Sequence, residues 1–432
     1  MKQFYLKGIL LCLGLLAGTT TASAYDAKIG DIYYYLSGNV ATVTDADNSS
    51  GHPGSSYSGN VVIPSTVTYG GKTYSVRSIG YCAFWRCQDL TSVTVPNSVT
   101  SIGDFAFADC GSSLASLTIP SSVTSIGRYA FRESGLTSLD ISGATSIGEG
   151  VFQDCRSLVS VTLSEKLTAT SERMFSGCNS LAPFSLPNSL TSIGDFTFYG
   201  CWGLTSFTIP NHVTHIGMYA FNACLLTSVT IPGSVTSIGS NAFNYNRGLT
   251  AVYIDNISAW CRITFEDYSS NPLLYSFESH LYLNGEEVTD LSIPDGVPSI
   301  ADYAFFGCEG LTSITLPNSL VSIGEQVFQN CRNLKEIHCR AEETPEVSAT
   351  AFNNITVSKI PLYVPRDSYQ QYKEHPVWGL FDVVIETGIS LPSFSEGIAA
   401  VYDMSGRQQS SSQRGLNIIR MSDGTTRKVI LK

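Results

Sequence analysis

Charge is scarce in this chain. Asp, Glu, Lys and Arg make up 14 % of its 432 residues, and 25 basic residues face 36 acidic ones, for a formal net charge of −11. A chain so poor in Lys and Arg lacks the electrostatic footprint of phosphate-backbone binding, which excludes nucleic acid as a partner. Long apolar runs are missing too. The run from Gly8 to Ala17 is too short to span a bilayer, no later stretch qualifies, and no transmembrane segment is expected. G-x-S-x-G, H-E-x-x-H, phosphate-binding and calcium-loop motifs are absent, and no paired-acid or triad cluster stands outside the insertion at 255–290. The chain therefore reads as a non-enzyme with no catalytic residue, no cofactor and no metal site. An aromatic share of 11 % shows that it is not disordered by composition.

What is present begins with "MKQFYLKGILLCLGLLAGTTTASA". Lys2 and Lys7, a short apolar run and the small end Ala22-Ser23-Ala24 predict a secretory signal peptide over 1–24, cleaved near Ala24. Leu11 stands where a lipoprotein acceptor at Cys12 would need a small residue. Without Lys2 and Lys7 the remaining chain carries −13.

The body of the chain repeats itself. "LTSVTVPNSVTSIGDFAFADC" (90–110) has close copies at 114–134, 204–224 and 311–331. Taking the Ile of each "SIG" as an anchor gives Ile79, Ile102, Ile126, Ile147, Ile193, Ile216, Ile238, Ile300 and Ile323, with Thr170 in a degenerate copy. Five residues after every anchor stands a Phe, from Phe84 and Phe107 to Phe305 and Phe328. A side chain recurring once per turn marks a stacked core ladder. Upstream of the anchor, Leu90, Val93 and Val95 alternate with Ser92 and Thr94, and Pro96 ends the strand. Val99 and Ile102 make a second short inward pair, Gly103 is expected to let the chain turn, and "DFAFADC" suits a tight helical or 3₁₀ corner.

The pattern L-x-x-V/I-x-I-P-x-x-V-x-x-I-G-x-x-A-F-x-x-C resembles the leucine-rich repeat of the BspA-like group, surface proteins common in Bacteroidetes. The resemblance covers 61–355, with "GKTYSVRSIG" at the start and "PLYVPRDSYQQYKEHPVWGLF" (361–381) as a closing cap. It implies a β-rich repeat solenoid, a leucine-rich-repeat right-handed superhelix of about ten 23-residue coils with β caps. It also implies binding at the cell surface, to host extracellular matrix proteins, glycans or other bacterial surfaces. It implies no catalytic site.

Eight of the twelve Cys fall eight residues after an anchor: Cys87, Cys110, Cys155, Cys178, Cys201, Cys224, Cys308 and Cys331. Ser134 and Asn246 take that place in two copies. Zinc needs ligands gathered in one tetrahedron, and a Cys every 23 residues without a paired His gives a line instead. Stacked coils about 4.8 Å apart would hold such residues with roughly parallel Cα–Cβ vectors, which suits a ladder better than disulfides. Buried free thiols packing as small hydrophobes are expected, with Cys82, Cys87, Cys331 and Cys339 as the places where a bridge is most plausible.

Departures from the repeat point to function. Three residues after the anchor lies a looser aromatic set, Phe105, Tyr129, Phe196, Tyr219 and Tyr303. These rings form either a solvent-facing stacking strip or a peripheral core. An insertion at 255–290 carries Trp260, Tyr268 and Tyr275, and "LNGEE" predicts a type I′ hairpin at Asn284-Gly285. It is either a protruding binding element or an irregular coil whose core is Trp260 and Phe265. Similar "AWC" insertions accompany the resembled family, which favours the second. The outward Ser/Thr positions of the strands form a ladder that suits cross-strand bonding or a broad contact surface.

Residues 25–60, with "GDIYYYLSGNVATVT", predict an N-terminal β cap, and 356–388 a C-terminal cap. The tail 389–432 alternates as short strands and forms a small C-terminal β domain. It resembles the type IX sorting domain through Val401-Tyr402-Asp403, Gly406-Arg407, Gly415 and Lys428–Lys432. The expectation is a monomeric, secreted or outer-membrane and cell-surface protein that binds macromolecules by repeated contacts. A stalk without a ligand and the scaffold of an extracellular hydrolase are the alternatives.

Overall fold

The computed structural model describes residues 25–46, 56–274 and 279–386, together with strands of the tail between 398 and 431. The segment assigned as signal peptide lies outside the described residues. The chain divides after Val383 into two compact units.

In the larger unit most repeats contribute two parallel strands. The longer ones, such as Leu90–Thr94, Ser116–Thr118 and Ser228–Ile231, pair in register from coil to coil, Ser92 with Ser116 and Ser228 with Ala251. The shorter ones hold the anchors, with Ile79, Ile102, Ile126 and Ile147 side by side. Val43, Phe265 and Val347 pair with the anchors Ile79, Ile238 and Ile323, and added to the ten repeat anchors they give thirteen turns. Among the described residues the long-strand sheet is interrupted at three places, the widest between Ser160–Thr162 and Ser206–Thr208. Pro183 has no N–H to offer there, and Phe184 fits its ring between Phe175, Phe198 and Phe207.

Inside, the Phe ladder runs in two stretches on either side of the insertion. From Phe84 to Phe243, and again from Phe305 to Phe352, neighbouring rings lie 4.9–5.7 Å apart and within 19° of parallel. Tyr57 closes the N-terminal end, 4.6 Å from Phe84. Trp378 and Phe381 close the other against Phe352.

The corners are not helical. Two residues in each adopt left-handed backbone, at the third and seventh places after the anchor: Phe105 (φ 56°) and Asp109 (φ 58°), Tyr219 (φ 55°) and Ala223 (φ 56°). This alternation aims the odd N–H groups at the next coil. Phe105 donates to the Arg128 carbonyl at 2.9 Å, Phe107 to Ala130 at 2.7 Å and Asp109 to Arg132 at 2.7 Å. The even ones close on their own turn, as Ala108 does on Phe105 at 3.1 Å. Each left-handed non-glycine residue costs roughly 1–2 kcal/mol, offset by the hydrogen bond its N–H makes. Gly103 keeps an ordinary φ and is needed for another reason. A Cβ on it would stand 2.8 Å from the Gly80 carbonyl carbon and the Tyr81 nitrogen, so the glycine permits close approach of coils rather than a turn.

The cysteines are wall, but not merely as small hydrophobes. Six of the eight ladder thiols reach the Phe carbonyl of the preceding coil, among them Cys110 to Phe84 at 3.0 Å, Cys178 to Phe152 at 3.0 Å, Cys201 to Phe175 at 3.0 Å and Cys224 to Phe198 at 2.9 Å. Asn246 puts an amide in the same place, donating to Phe221 at 2.8 Å. None of the eleven described cysteines is disulfide-bonded, including the four where a bridge was most plausible. Cys331 donates to Phe305, and Cys339 meets the Tyr372 hydroxyl at 3.1 Å.

The insertion is a coil with different parts. Thr264–Phe265 pairs with Ser237–Ile238 where an anchor strand belongs, and His280–Leu283 pairs with Ala251–Ile254 as a long strand. Asn284 (φ 51°) and Gly285 (φ 87°) make the expected primed turn into Glu286–Glu287. In the tail unit, Ile398–Tyr402, Gln408–Gln409, Gly415–Met421 and Thr426–Leu431 form one antiparallel sheet.

Candidate binding faces

Two surfaces depart from the repeat, one on the corners and one on the long-strand sheet. On the corners the five rings three places after the anchor are half-buried, neither core nor fully exposed. They meet in pairs across coils. Phe105 stacks on Tyr129 at 5.1 Å, and Phe196 on Tyr219 at 4.9 Å and 7°. Between the pairs lies a polar bridge. The Tyr129 hydroxyl donates to Glu149, and Arg173 pairs with Glu149 at 3.1 Å while its guanidinium sits 4.8 Å over Phe196. Burial, then the bond to Glu149, push the Tyr129 phenol well above its ordinary value. Tyr303 packs against the core edge, and burial raises its phenol too.

Beside the Phe196–Tyr219 pair the corner surface carries side chains that sequence reasoning passed over. Tyr199, Trp202, Leu225 and Tyr245 are 42 %, 57 %, 55 % and 59 % exposed. The Tyr199 ring lies 5.9 Å from Phe196. Trp202 and Leu225 both stand nine places after their anchors, in adjacent coils. Four exposed apolar side chains on three successive coils is a concentration that single scattered residues do not explain. The signal was available, since Trp202 and Leu225 occupy positions that are polar or glycine in most copies.

Of the insertion residues, Trp260 leaves the candidate surface. It is 1 % exposed, its Nε1 donates to the Ala304 carbonyl at 2.8 Å, and its ring packs edge-on to Phe265 at 5.6 Å. The cause is local: the Asn256 side chain accepts from Ala259 and caps the single helical turn Ile257–Trp260, which folds the indole inward. Tyr268 is 53 % exposed, with Phe306 at 6.3 Å. Tyr275 lies outside the described residues. Burial raises the neighbouring Asp267, but hydrogen bonds from Ser240 and Ser269 outweigh it and hold this carboxyl below its ordinary value.

On the sheet, the Ser/Thr ladder faces outward through Ser116, Thr118, Ser160, Thr162, Ser206 and Thr208. Farther along, its place is taken by Tyr253 and Tyr282, 4.9 Å apart, and by His338 and Tyr363, stacked at 4.6 Å. Among the described residues no group of three or more His, Cys, Asp and Glu is placed to hold a metal ion.

The model of the BspA type leucine-rich-repeat region matches this chain in six copies, over 72–182, 126–250, 172–270 and 275–365. Among solved structures, a leucine-rich repeat protein from Bacteroides ovatus is 24 % identical, with a TM-score of 0.52 over 84 % of this chain and 99 % of that one. A leucine-rich cell surface protein from Faecalibacterium prausnitzii is 27 % identical over 75 % of this chain and 94 % of that one, with a TM-score of 0.43. The first shares the solenoid fold. No curated protein matches.

Proposed function

Because this chain belongs to the BspA-type leucine-rich-repeat family, we propose that it is a non-catalytic surface protein that grips a protein partner through the corner patch around Trp202. The observation that carries this reading is the exposure of Trp202, Leu225, Tyr199 and Tyr245 beside the stacked Phe196 and Tyr219. Trp and Tyr at a protein interface supply large, rigid contact area, and a few such residues hold most of the binding energy. The paired rings Phe105–Tyr129 extend the same strip, so that contacts on several coils add by avidity. Extracellular matrix proteins and the surfaces of other bacteria are the partners proposed. The fold supports the reading through its rigidity: most coils are bonded to the next through paired strands and at the corner.

The N-terminal segment 1–24 and the tail 389–432 are proposed as the export signals, flanking the cap at 25–60, the solenoid at 61–355 and the closing cap at 356–388. No helix among the described residues is long and apolar enough to cross a membrane. Antibody labelling of intact cells tests the location. The full chain should be labelled and a chain ending at residue 388 should remain inside; equal labelling of both removes the role of the tail.

The binding test is a surface array of matrix proteins and whole bacterial surfaces, probed with the chain from Tyr25 onward. Saturable binding to at least one protein target is expected. Complete silence would favour a stalk with no ligand.

A further inference from the structure

The outward face of the long-strand sheet changes chemistry at two places, and the first stands beside a recess. Through most copies it shows Ser and Thr, but Ala251–Ile254 and His280–Leu283 present Tyr253 and Tyr282 side by side, their rings 4.9 Å apart and half-buried. His280 lies two residues before Tyr282 on the same face, about 7 Å away by the strand rise. From His280 the surface drops into an open recess of about 410 Å³, lined further by Glu287, Glu309, Thr312, Asn333 and Lys335. That volume is within the range of about 300–1,000 Å³ typical of small-ligand sites. The His280 Nδ1 and a Glu287 carboxylate oxygen are 2.6 Å apart. Gly310 leaves this pair open: a Cβ there would stand 3.0 Å from the imidazole and 3.1 Å from the carboxylate.

We propose that this ring pair and recess form a binding site for a neutral pyranose sugar, presented as part of an oligosaccharide. The recess mixes two carboxylates with an ammonium, an amide, an imidazole and a hydroxyl. An anion would meet Glu287 and Glu309, and a cation would meet Lys335. A purely apolar ligand would strip water from all of them without giving hydrogen bonds in return. A sugar ring meets both demands. Its hydroxyls donate and accept in turn along the recess, while its C–H face covers an aromatic ring. The site is separate from the corner patch: it lies on the sheet, on different coils.

The experiment uses the chain from Tyr25 onward, with saturation-transfer NMR on four soluble tetrasaccharides built from glucose, galactose, mannose and N-acetylglucosamine. At least one should receive saturation on its ring protons. Its binding should weaken about tenfold or more in Tyr253→Ala/Tyr282→Ala, a loss of about 1.4 kcal/mol. Glu287→Gln, which keeps the size of the side chain, should weaken it as well, and Trp202→Ala should leave it unchanged. Thermal melting of each variant checks that the solenoid is intact. If none of the four sugars binds, if binding survives the double tyrosine variant, or if Trp202→Ala abolishes it equally, the proposal is wrong.

Discussion

Raising the pH through about 10 is expected to unfold this protein in one steep transition, and the cause is its thiols. Cys155, Cys178, Cys201, Cys224, Cys308 and Cys331 are completely buried. Burial is the largest influence on each. It pushes Cys155 up to about 11 and Cys308 to about 12 from an ordinary value near 9.0, and Cys178, Cys201 and Cys331 well above it. In the folded chain these thiols hold their protons while the unfolded chain would release them. Their contribution to stability is therefore complete below pH 9 and is lost as the pH climbs toward 11 and 12. Each thiol loses about 1.4 kcal/mol per pH unit in that window. Six together lose on the order of 8 kcal/mol per unit, comparable to the whole stability of a typical domain. Circular dichroism and thiolate absorbance should move together in an alkaline titration. Replacing Cys178 and Cys201 by Ala should make the transition shallower. At pH 8 the ladder thiols should resist labelling in the folded chain and label fully after unfolding without reductant. Thiolates forming near pH 9 with the fold intact would contradict this account.

The second large effect is mechanical. Phe221→Ala should lower stability by about 3–5 kcal/mol, read as a fall in the urea midpoint. Phe221 is fully buried, and its ring lies 5.1 Å from Phe198, 5.0 Å from Phe207 and 5.4 Å from Phe243. Two residues earlier, Tyr219→Ala should cost about 1 kcal/mol, the value of its stack on Phe196. Tyr219→Gly should be no worse than Tyr219→Ala, because the left-handed backbone at φ 55° suits glycine. Equal losses for Phe221→Ala and Tyr219→Ala would make the strip part of the core and remove it as a surface.

The contrast between these two residues shows what was legible in the sequence. Period-two alternation and the "SIG" anchors identify inward side chains directly, since burial constrains size and polarity at every coil. Two turns escaped because Val43 and Val347 keep the inward volume without the flanking Ser and Gly, while the third was legible through Phe265 as the core of an irregular coil. The thiol hydrogen bonds depend on how closely the previous coil approaches, which no spacing states. Yet the replacements Ser134 and Asn246 were a clue, as both can donate. Phe105 and Tyr219 could not be placed, because their half-buried position follows from the left-handed backbone of the corner. Trp260 was turned inward by a cap at Asn256, a local bond invisible to a repeat pattern. Tyr253 and Tyr282 were visible as substitutions in the outward ladder, but became a feature only once the register set them side by side.

The stacking side chains recur and can distinguish no ligand from another, so recognition must reside where the outer surface departs from the repeat. The most direct measurement of this is the binding of the Trp202→Ala/Tyr245→Ala variant to the protein partner found on the array, alongside its melting curve. The account predicts an unchanged melting temperature and binding weakened about thirtyfold or more, the effect of losing two kcal/mol at a hot spot. Undiminished binding by a fully folded variant would contradict it.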